Sequence, residues 1–316
     1  MRRLIVVGAG AVGSLFGARL SRTGASVLLI GRPAHVAAVR AEGLRVEGVE
    51  PGTSRLDAAT EVPAGTVAEA ALMTVKSFDL APASEALARA VRPVPTALLG
   101  NGLGIEEVAG RGLRAGGWPR PEEMIVRAVH TVPATFLGPG VVRASGTGEV
   151  VLPDPGTAGG AAAAVRTFAQ LFSEAGLAVR TSRTFELELW RKAAVNAAIN
   201  PVTATRRVPN GELAAGTARR EAERLLAEAV AVARASGLDL SEEVARADLD
   251  RVVRATAENR SSMLQDVERG RPTEIDAISG EILRRGRALG LDLPATAEAI
   301  DRVRRAAERP DRPAQR

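Results

Sequence analysis

The sequence predicts an α/β chain in which a doubly wound N-terminal domain is followed by an all-helical C-terminal domain. Three observations predict it. From Leu4 to Leu99 short apolar runs alternate with alanine-rich, helix-like segments, the pattern of βαβ units around a parallel sheet. The first run ends in a glycine-rich turn, Gly8-Ala9-Gly10-Ala11-Val12-Gly13, which opens directly into a helix-like segment. Beyond Thr184 strand signals nearly vanish, and Ala, Glu, Arg and Leu recur with roughly helical periodicity.

The elements follow in order. LIVVGAG is read as the first strand: MRRLIVVGAG has the basic start of a signal peptide, but its apolar stretch is short and runs into a glycine loop. SVLLIG, AALMTV and TALLG supply further strands of the same sheet. Between Met124 and Leu152 come strand-like stretches broken by glycine and proline, then a helix from about Ala161 to Ala175 and a strand from Ala178 to Thr181. A chain of 316 residues is long enough for two domains, each burying its own core. We divide it into residues 1–182, residues 183–308, and a tail, 309–316, and the closing ERPDRPAQR that contains this tail reads as disordered.

Composition narrows the chemistry. There are no cysteines, which excludes disulfides, thiolate metal sites and cysteine nucleophiles and fits a cytoplasmic enzyme. Two histidines argue against a histidine-rich metal site, so no metal is expected. No apolar run approaches the roughly 18 residues that span a bilayer, so no membrane partner is expected. The net charge is +5 and the pI about 10.8, yet the arginines are spread along the chain and aromatics make up 3%. That pattern reads as a solvated arginine-rich surface, not a nucleic-acid site, and its field attracts anions such as a phosphorylated cofactor or a carboxylate.

The glycine turn sits between a strand and a helix, the context that gives a GxGxxG match its meaning. Gly8 permits the tight turn, Gly10 lets backbone approach a pyrophosphate, and Gly13 lets helix and strand pack closely, as in a Rossmann-type dinucleotide site. The pyrophosphate would meet free N–H groups at the helix N-terminus. The plain alternative is a glycine turn with no ligand. After SVLLIG an NAD site usually carries an acid for the ribose hydroxyl, whereas this chain has Arg32, which suits a 2′-phosphate and hence NADP; otherwise Arg32 merely begins a surface loop. Lys76 and the turn Asn101-Gly102-Leu103-Gly104 follow later strands at the carboxyl edge of the sheet, where ligands collect, although loop residues are also common there.

In ELWRKAAVNAAINPVTA, Lys192, Asn196 and Asn200 are spaced four residues apart and share one face of a helix. Buried unpaired, each polar group would cost roughly 1–3 kcal/mol, so the stripe should face either water or a ligand. Pro201 is expected to break or kink the helix just past Asn200. Further on, Ser261, Ser262 and Glu274 flank the apolar pair Met263 and Leu264. A helix ending near Arg269-Gly270 and another starting after Pro272-Thr273 would put Glu274 in a first turn, where the dipole favours an acid whether or not it has a task.

Together the stretches GAGAVG, LWRKAAVNAAINPVTA with the later PNGEL, and AENRSSMLQDVERGRPTEID resemble the ketopantoate reductase family, and the resemblance runs to about residue 305. The resemblance implies NADPH as cofactor, a small 2-oxo acid as substrate, and a monomer or homodimer. It implies that Gly8 to Gly13, Arg32, Lys76 and Asn101 hold NADPH, with Ala134, in the loop before GPG, a backbone contact. Lys192 would be the proton donor; Asn101, Asn196, Asn200, Asn210 and Ser262 would bind the substrate; Glu274 would orient the nicotinamide end and the lysine. The chemistry agrees, because hydride addition to a carbonyl leaves charge on oxygen that an ammonium stabilises and then protonates. The chain departs from the family pattern at Asp79, where glutamine is common, and at Arg143, where histidine is common. An acid at 79 would weaken adenosine or phosphate contacts. Two other readings stay open: a related reductase for another 2-oxo acid, and a non-catalytic NADP-binding regulator, since fold alone does not establish function.

Overall fold

The computed structural model describes residues 2–308; the expected tail at 309–316 lies outside the described residues. The chain divides into two compact units, one comprising the chain to Gly100 and Ile105–Phe185, the other Asn101–Gly104 and the chain from Glu186 onward.

The first unit runs β1 (Arg3–Val7), α1 (Ala11–Ser21), β2 (Ser26–Ile30), α2 (Pro33–Glu42), β3 (Leu44–Gly48), β4 (Gly52–Ser54), β5 (Asp57–Ala59), β6 (Ala70–Met73), α3 (Leu80–Ala90), β7 (Thr96–Leu98) and α4 (Ile105–Ala115). It continues with β8 (Ile125–Arg127), β9 (Val129–His130), β10 (Ala134–Gly138), β11 (Val141–Ala144), β12 (Glu149–Pro153), α5 (Ala162–Glu174) and β13 (Ala178–Ser182). Six strands form a wholly parallel sheet in the order β5-β2-β1-β6-β7-β8. Successive β1 side chains enter opposite cores: Leu4 and Val6 pack with Phe16 and Leu29, while Ile5 and Val7 pack with Met73 and Leu98. A parallel sheet buried on both faces needs such continuous apolar strands, which is why LIVV shows no polar alternation. The fold is therefore doubly wound, and β1 lies where the strand order turns, between β2 and β6.

Two small sheets accompany it, β10-β11-β3-β4 and β13-β12-β9. Strands β3, β4 and β5 arise from LRVEGVEPGTSRLDAA, a stretch whose sequence carries no run of apolar residues to announce them. His35 ties the first small sheet to α1: the Gly140 N–H donates to Nδ1 at 2.9 Å, so the proton sits on Nε2, 3.1 Å from Ser14 Oγ. The ring is 4% exposed and rests on Phe136, and burial pushes its pKa down.

The second unit is helical: α6 (Phe185–Arg206), α7 (Gly216–Ala235), α8 (Glu242–Ala255), α9 (Ser262–Glu268), α10 (Glu281–Ala288) and α11 (Pro294–Glu308). Trp190, Ala194, Ala198 and Val202 of α6 share one core with Leu225 and Ala229 of α7, Leu249 of α8 and Val303 of α11. Alanine on α6 permits close helix approach. Among the described residues no helix is long and apolar enough to cross a membrane.

Three local expectations need correction. Helix α6 does not break at Pro201 but runs on to Arg206. Burial of Ala197, Ala198 and Ile199 before the proline and Val202 and Ala204 after it holds the helix across the lost N–H. Ala134 is not in a loop; it starts β10 and pairs with Ala144 of β11. Glu274 lies one residue before the helical turn that begins at Ile275, its carbonyl accepting from the Ile278 N–H at 3.1 Å. The turn it opens is a π segment, Asp276–Gly280, that passes directly into α10.

Candidate functional site

In the α/β unit the loop from Gly8 to Gly13 is set by its glycines. Gly8 has φ +110°, a backbone region that disfavours side chains, and a Cβ there would meet Val75 N at 2.5 Å. A Cβ on Gly13 would overlap the carbonyl oxygen of Gly8 and the hydroxyl of Thr74, so this glycine is required by packing. Gly10 differs: it is exposed, and a Cβ on it would meet nothing within 4 Å. The protein itself therefore does not need a glycine at 10, whereas a ligand pressed against the backbone would.

The N–H groups of Gly8 and Ala9 donate to Ile30 O at 3.0 and 2.8 Å, which ties the loop to β2. Gly10 precedes α1 without a side-chain cap, and the first turn, containing Ala11 and Val12, holds no acid. The helix thus starts with uncapped N–H groups and an uncompensated positive dipole end, a natural seat for phosphate. Thr74 donates its hydroxyl to Gly8 O at 2.6 Å and fixes the loop from the end of β6. Nothing in the sequence pattern marks Thr74 beyond a polar residue closing a buried strand.

Arg32 is exposed, two residues past β2, and precedes Pro33 at the start of α2. A Cβ on the intervening Gly31 would press on Ala9 at 2.5 Å, so β2 ends against the glycine loop with Arg32 beside it. Lys76 follows β6 half-buried, with Asp79 exposed on the next short turn. Arg143 is used structurally: it pairs with Glu47 Oε2 at 3.1 Å across the parallel β11–β3 register.

In the helical unit Lys192, Asn196 and Asn200 lie along α6 as the spacing requires, Lys192 and Asn196 half-buried and Asn200 6% exposed. The neighbouring Arg191 is committed to Asp248 through two bonds of 2.7 and 2.9 Å. Asn101, though it follows β7 in sequence, groups with this unit, and its Nδ2 lies 3.4 Å from Glu274 Oε2. Glu274 is 5% exposed, a buried carboxylate at a helix start. Asn210 is 7% exposed and donates through Nδ2 to Thr256 at 2.9 Å, while its Oδ1 is buried with no hydrogen-bond partner among the described residues. Ser262 is exposed as the first residue of α9. Its neighbour Ser261 is the buried one: it caps α9 through Leu264 N and lies 2.7 Å from Thr203 on α6.

The unit therefore brings Asn101 to Glu274 and keeps Lys192, Asn196 and Asn200 on one helix. The cofactor-type residues Gly8 to Gly13, Arg32 and Lys76 belong to the other unit. Among the described residues there is no cluster of three or more metal-ligand side chains.

Comparison with known proteins covers both units. The family described as ketopantoate reductase PanE/ApbA matches residues 4–156, and its C-terminal counterpart matches residues 184–307. The chain is 33% identical to the 2-dehydropantoate 2-reductase of Archaeoglobus fulgidus over 96% of this chain and 97% of that protein. Among solved structures it is similar to a PanE/ApbA family ketopantoate reductase from Ralstonia eutropha JMP134, with TM-score 0.85 and 33% identity over 98% of this chain and 99% of that one. It is similar also to D-mandelate dehydrogenase solved with NADH and anilino(oxo)acetate, with TM-score 0.88 and 26% identity over 97% of this chain and 98% of that one.

Proposed function

The chain belongs to the ketopantoate reductase family, and from that premise we propose that it reduces 2-dehydropantoate to pantoate with NADPH, a step toward pantothenate and coenzyme A. The observation that carries this reading is the stripe of Lys192, Asn196 and Asn200 on a helix whose alanines, Trp190, Ile199 and Val202 lie in an apolar core. An ammonium and two amides along one helix face offer the donors that an acid's carboxylate and carbonyl oxygen require.

On this reading the α/β unit holds the cofactor and the helical unit holds the substrate and the proton donor, the roles expected of residues 1–182 and 183–308. The residues fit a dinucleotide: Gly10 leaves backbone bare, α1 starts without cap or acid, and Arg32 stands at the end of β2. Gly8 to Gly13 would take the pyrophosphate, Arg32 the 2′-phosphate, and Lys76, Asn101 and Ala134 the remaining contacts. When bound, the reduced nicotinamide supplies the hydride. Lys192 stabilises the charge that grows on the substrate's carbonyl oxygen and then gives that oxygen a proton from Nζ. The amides of Asn196, Asn200 and Asn210 and the hydroxyl of Ser262 bind the acid's carboxylate and hydroxyl, with Asn101 beside them. The lone Oδ1 of Asn210 is suited to accept from a substrate hydroxyl. Glu274, already 3.4 Å from Asn101, orients that amide, the lysine and the nicotinamide end. The enzyme on this reading works in the cytoplasm as a monomer or homodimer.

A second reading has its own observation. The likeness to D-mandelate dehydrogenase and the acid at Asp79 favour a related reductase that takes another 2-oxo acid, with NADH as well as NADPH. The test is NADPH oxidation by purified protein with 2-dehydropantoate, other branched 2-oxo acids and an aromatic 2-oxo acid, repeated with NADH. Turnover confined to 2-dehydropantoate and NADPH is the expected result. Preference for another acid moves the assignment to the second reading, and no turnover despite NADPH binding moves it to a regulator.

A further inference from the structure

Three consecutive carbonyls at the end of β7 are held by two side chains that the proposed reaction does not use. Arg127, the last residue of β8, is 7% exposed. Its Nη1 donates to Gly100 O at 2.7 Å, to Leu98 O at 3.1 Å and to Ala128 O at 3.3 Å, and its Nε lies 3.5 Å from Glu106 Oε1. His130 in β9 is 9% exposed, with Nε2 3.1 Å from Leu99 O; a carbonyl only accepts, so Nε2 carries the proton and donates. The imidazole is fixed edge-on against Phe16, ring centres 5.7 Å apart.

Backbone pairing alone does not account for this. The β7–β8 register ends at Leu98 opposite Arg127, and Leu98 O already accepts from the Ala128 N–H at 3.0 Å. Past that point Leu99 and Gly100 offer carbonyls with no further β8 strand beside them. The guanidinium and the imidazole take those two carbonyls and so continue the ladder by two residues beyond the sheet. A buried guanidinium is costly to desolvate, and an apolar side chain would serve the core at that place as well or better. What it adds is a fixed main-chain path at the carboxyl edge of the sheet, and the next residue along that path is Asn101.

We infer that Arg127 and His130 are positioning residues for the reaction: they clamp the main chain at residues 98–100 and thereby set the direction in which Asn101 leaves the sheet. The inference rests on the proposed role of Asn101 at the cofactor and substrate. Misplacing a binding group by about 1 Å lowers turnover by up to roughly 100-fold even when the change is remote from the chemistry. All three carbonyl contacts come from Nη1, and a lysine at 127 keeps the charge but ends one bond short of that position, so its ammonium does not reach the same carbonyls.

The test uses Arg127→Lys, His130→Gln, Asn101→Ala and the double variant Arg127→Lys/Asn101→Ala. In ligand-free protein, hydrogen exchange at the amides of residues 100–104 is expected to quicken roughly tenfold in Arg127→Lys and less in His130→Gln, with little change in Asn101→Ala. With NADPH and 2-dehydropantoate, kcat/KM is expected to fall on the order of tenfold or more in Arg127→Lys, and the double variant is expected to be no worse than Asn101→Ala alone. Losses that multiply in the double variant, or an Arg127→Lys protein with unchanged exchange and kinetics, overturn the inference. A kinetically silent Asn101→Ala overturns the role of Asn101 as well, and is told apart from failure of the clamp alone by that single variant.

Discussion

At the loop from Gly8 to Gly13 the chain offers bare backbone, whereas along α6 it offers polar side chains on a helix whose alanines and Trp190 lie in the core. In the loop two glycines are dictated by the fold and one is not: Gly8 and Gly13 are closed in by Val75, Thr74 and the loop itself, and Gly10 faces open space. On α6 the alanines and Trp190 fill the core, while Lys192 and Asn196 are half-buried and Asn200 is buried among them. In the loop, Gly10 is the one glycine of the three whose identity packing leaves open, and along α6 the candidate positions are the polar ones beside an apolar core. Residues that packing does explain carry stability, and the two kinds respond differently to substitution.

The largest expected effect is at Lys192. Lys192→Ala is expected to lower kcat by about 10²–10⁴-fold, the range of a general acid, while thermal unfolding stays near wild type. Steady-state kinetics beside a melting curve check it, and a variant with near-normal kcat would remove Lys192 from the proposed chemistry.

The two glycines sharpen the comparison within the loop. Gly13→Ala is expected to destabilise the protein by about 1–3 kcal/mol in urea, since its methyl collides with main chain. Gly10→Ala is expected to change stability by less than about 0.5 kcal/mol yet weaken NADPH roughly tenfold or more, because the methyl stands where the dinucleotide should approach. If Gly10→Ala binds NADPH as wild type does, the open side of the loop is not the phosphate seat.

Arg32→Ala is expected to weaken NADPH by roughly ten- to a hundredfold, the worth of a charge-assisted bond, and to leave NADH almost unchanged. Equal losses for the two cofactors would show that Arg32 does not read the 2′-phosphate.

The smallest effect is at His35, where burial lowers the pKa from its ordinary 6.5 and protonation would turn Nδ1 from an acceptor of the Gly140 N–H into a second donor. The unfolded chain takes up that proton more readily, so the stabilisation is full above about pH 6.5 and is lost as pH falls through the lowered folded value. Urea titrations at about pH 7.5 and about pH 5.5 should show a smaller acid loss in His35→Gln than in wild type. An identical acid loss in both proteins would contradict the assignment.

The doubly wound sheet was legible because its strands are buried on both faces and their apolar runs stand out against alanine-rich helices. Strands β3 to β5 were not, since all three are short, β3 interleaves charged with apolar residues and β4 has only Gly52, Thr53 and Ser54. Helical spacing announced the Lys192 stripe, but proline's local preference pointed to a break at 201 that the helix does not make, because propensity is local and the core on either side of the proline is not. The pairing of Asn101 with Glu274 spans 173 positions and follows from chain path alone. Likewise Thr74, Arg127 and His130 act on main-chain carbonyls that no spacing in the sequence reveals. The resemblance to the family supplied the roles of Asn210, Ser262 and Glu274, which periodicity leaves as ordinary helix-end residues.

The central claim is a division of labour, with the glycine loop binding the cofactor and the α6 stripe serving the substrate. It is tested most directly by calorimetric titration of NADPH into Lys192→Ala. The account predicts a Kd within about threefold of wild type in a protein that no longer turns over 2-dehydropantoate. Loss of NADPH binding by more than about tenfold in a natively folded Lys192→Ala would contradict it, because the lysine would then belong to the cofactor site and not to the proton transfer.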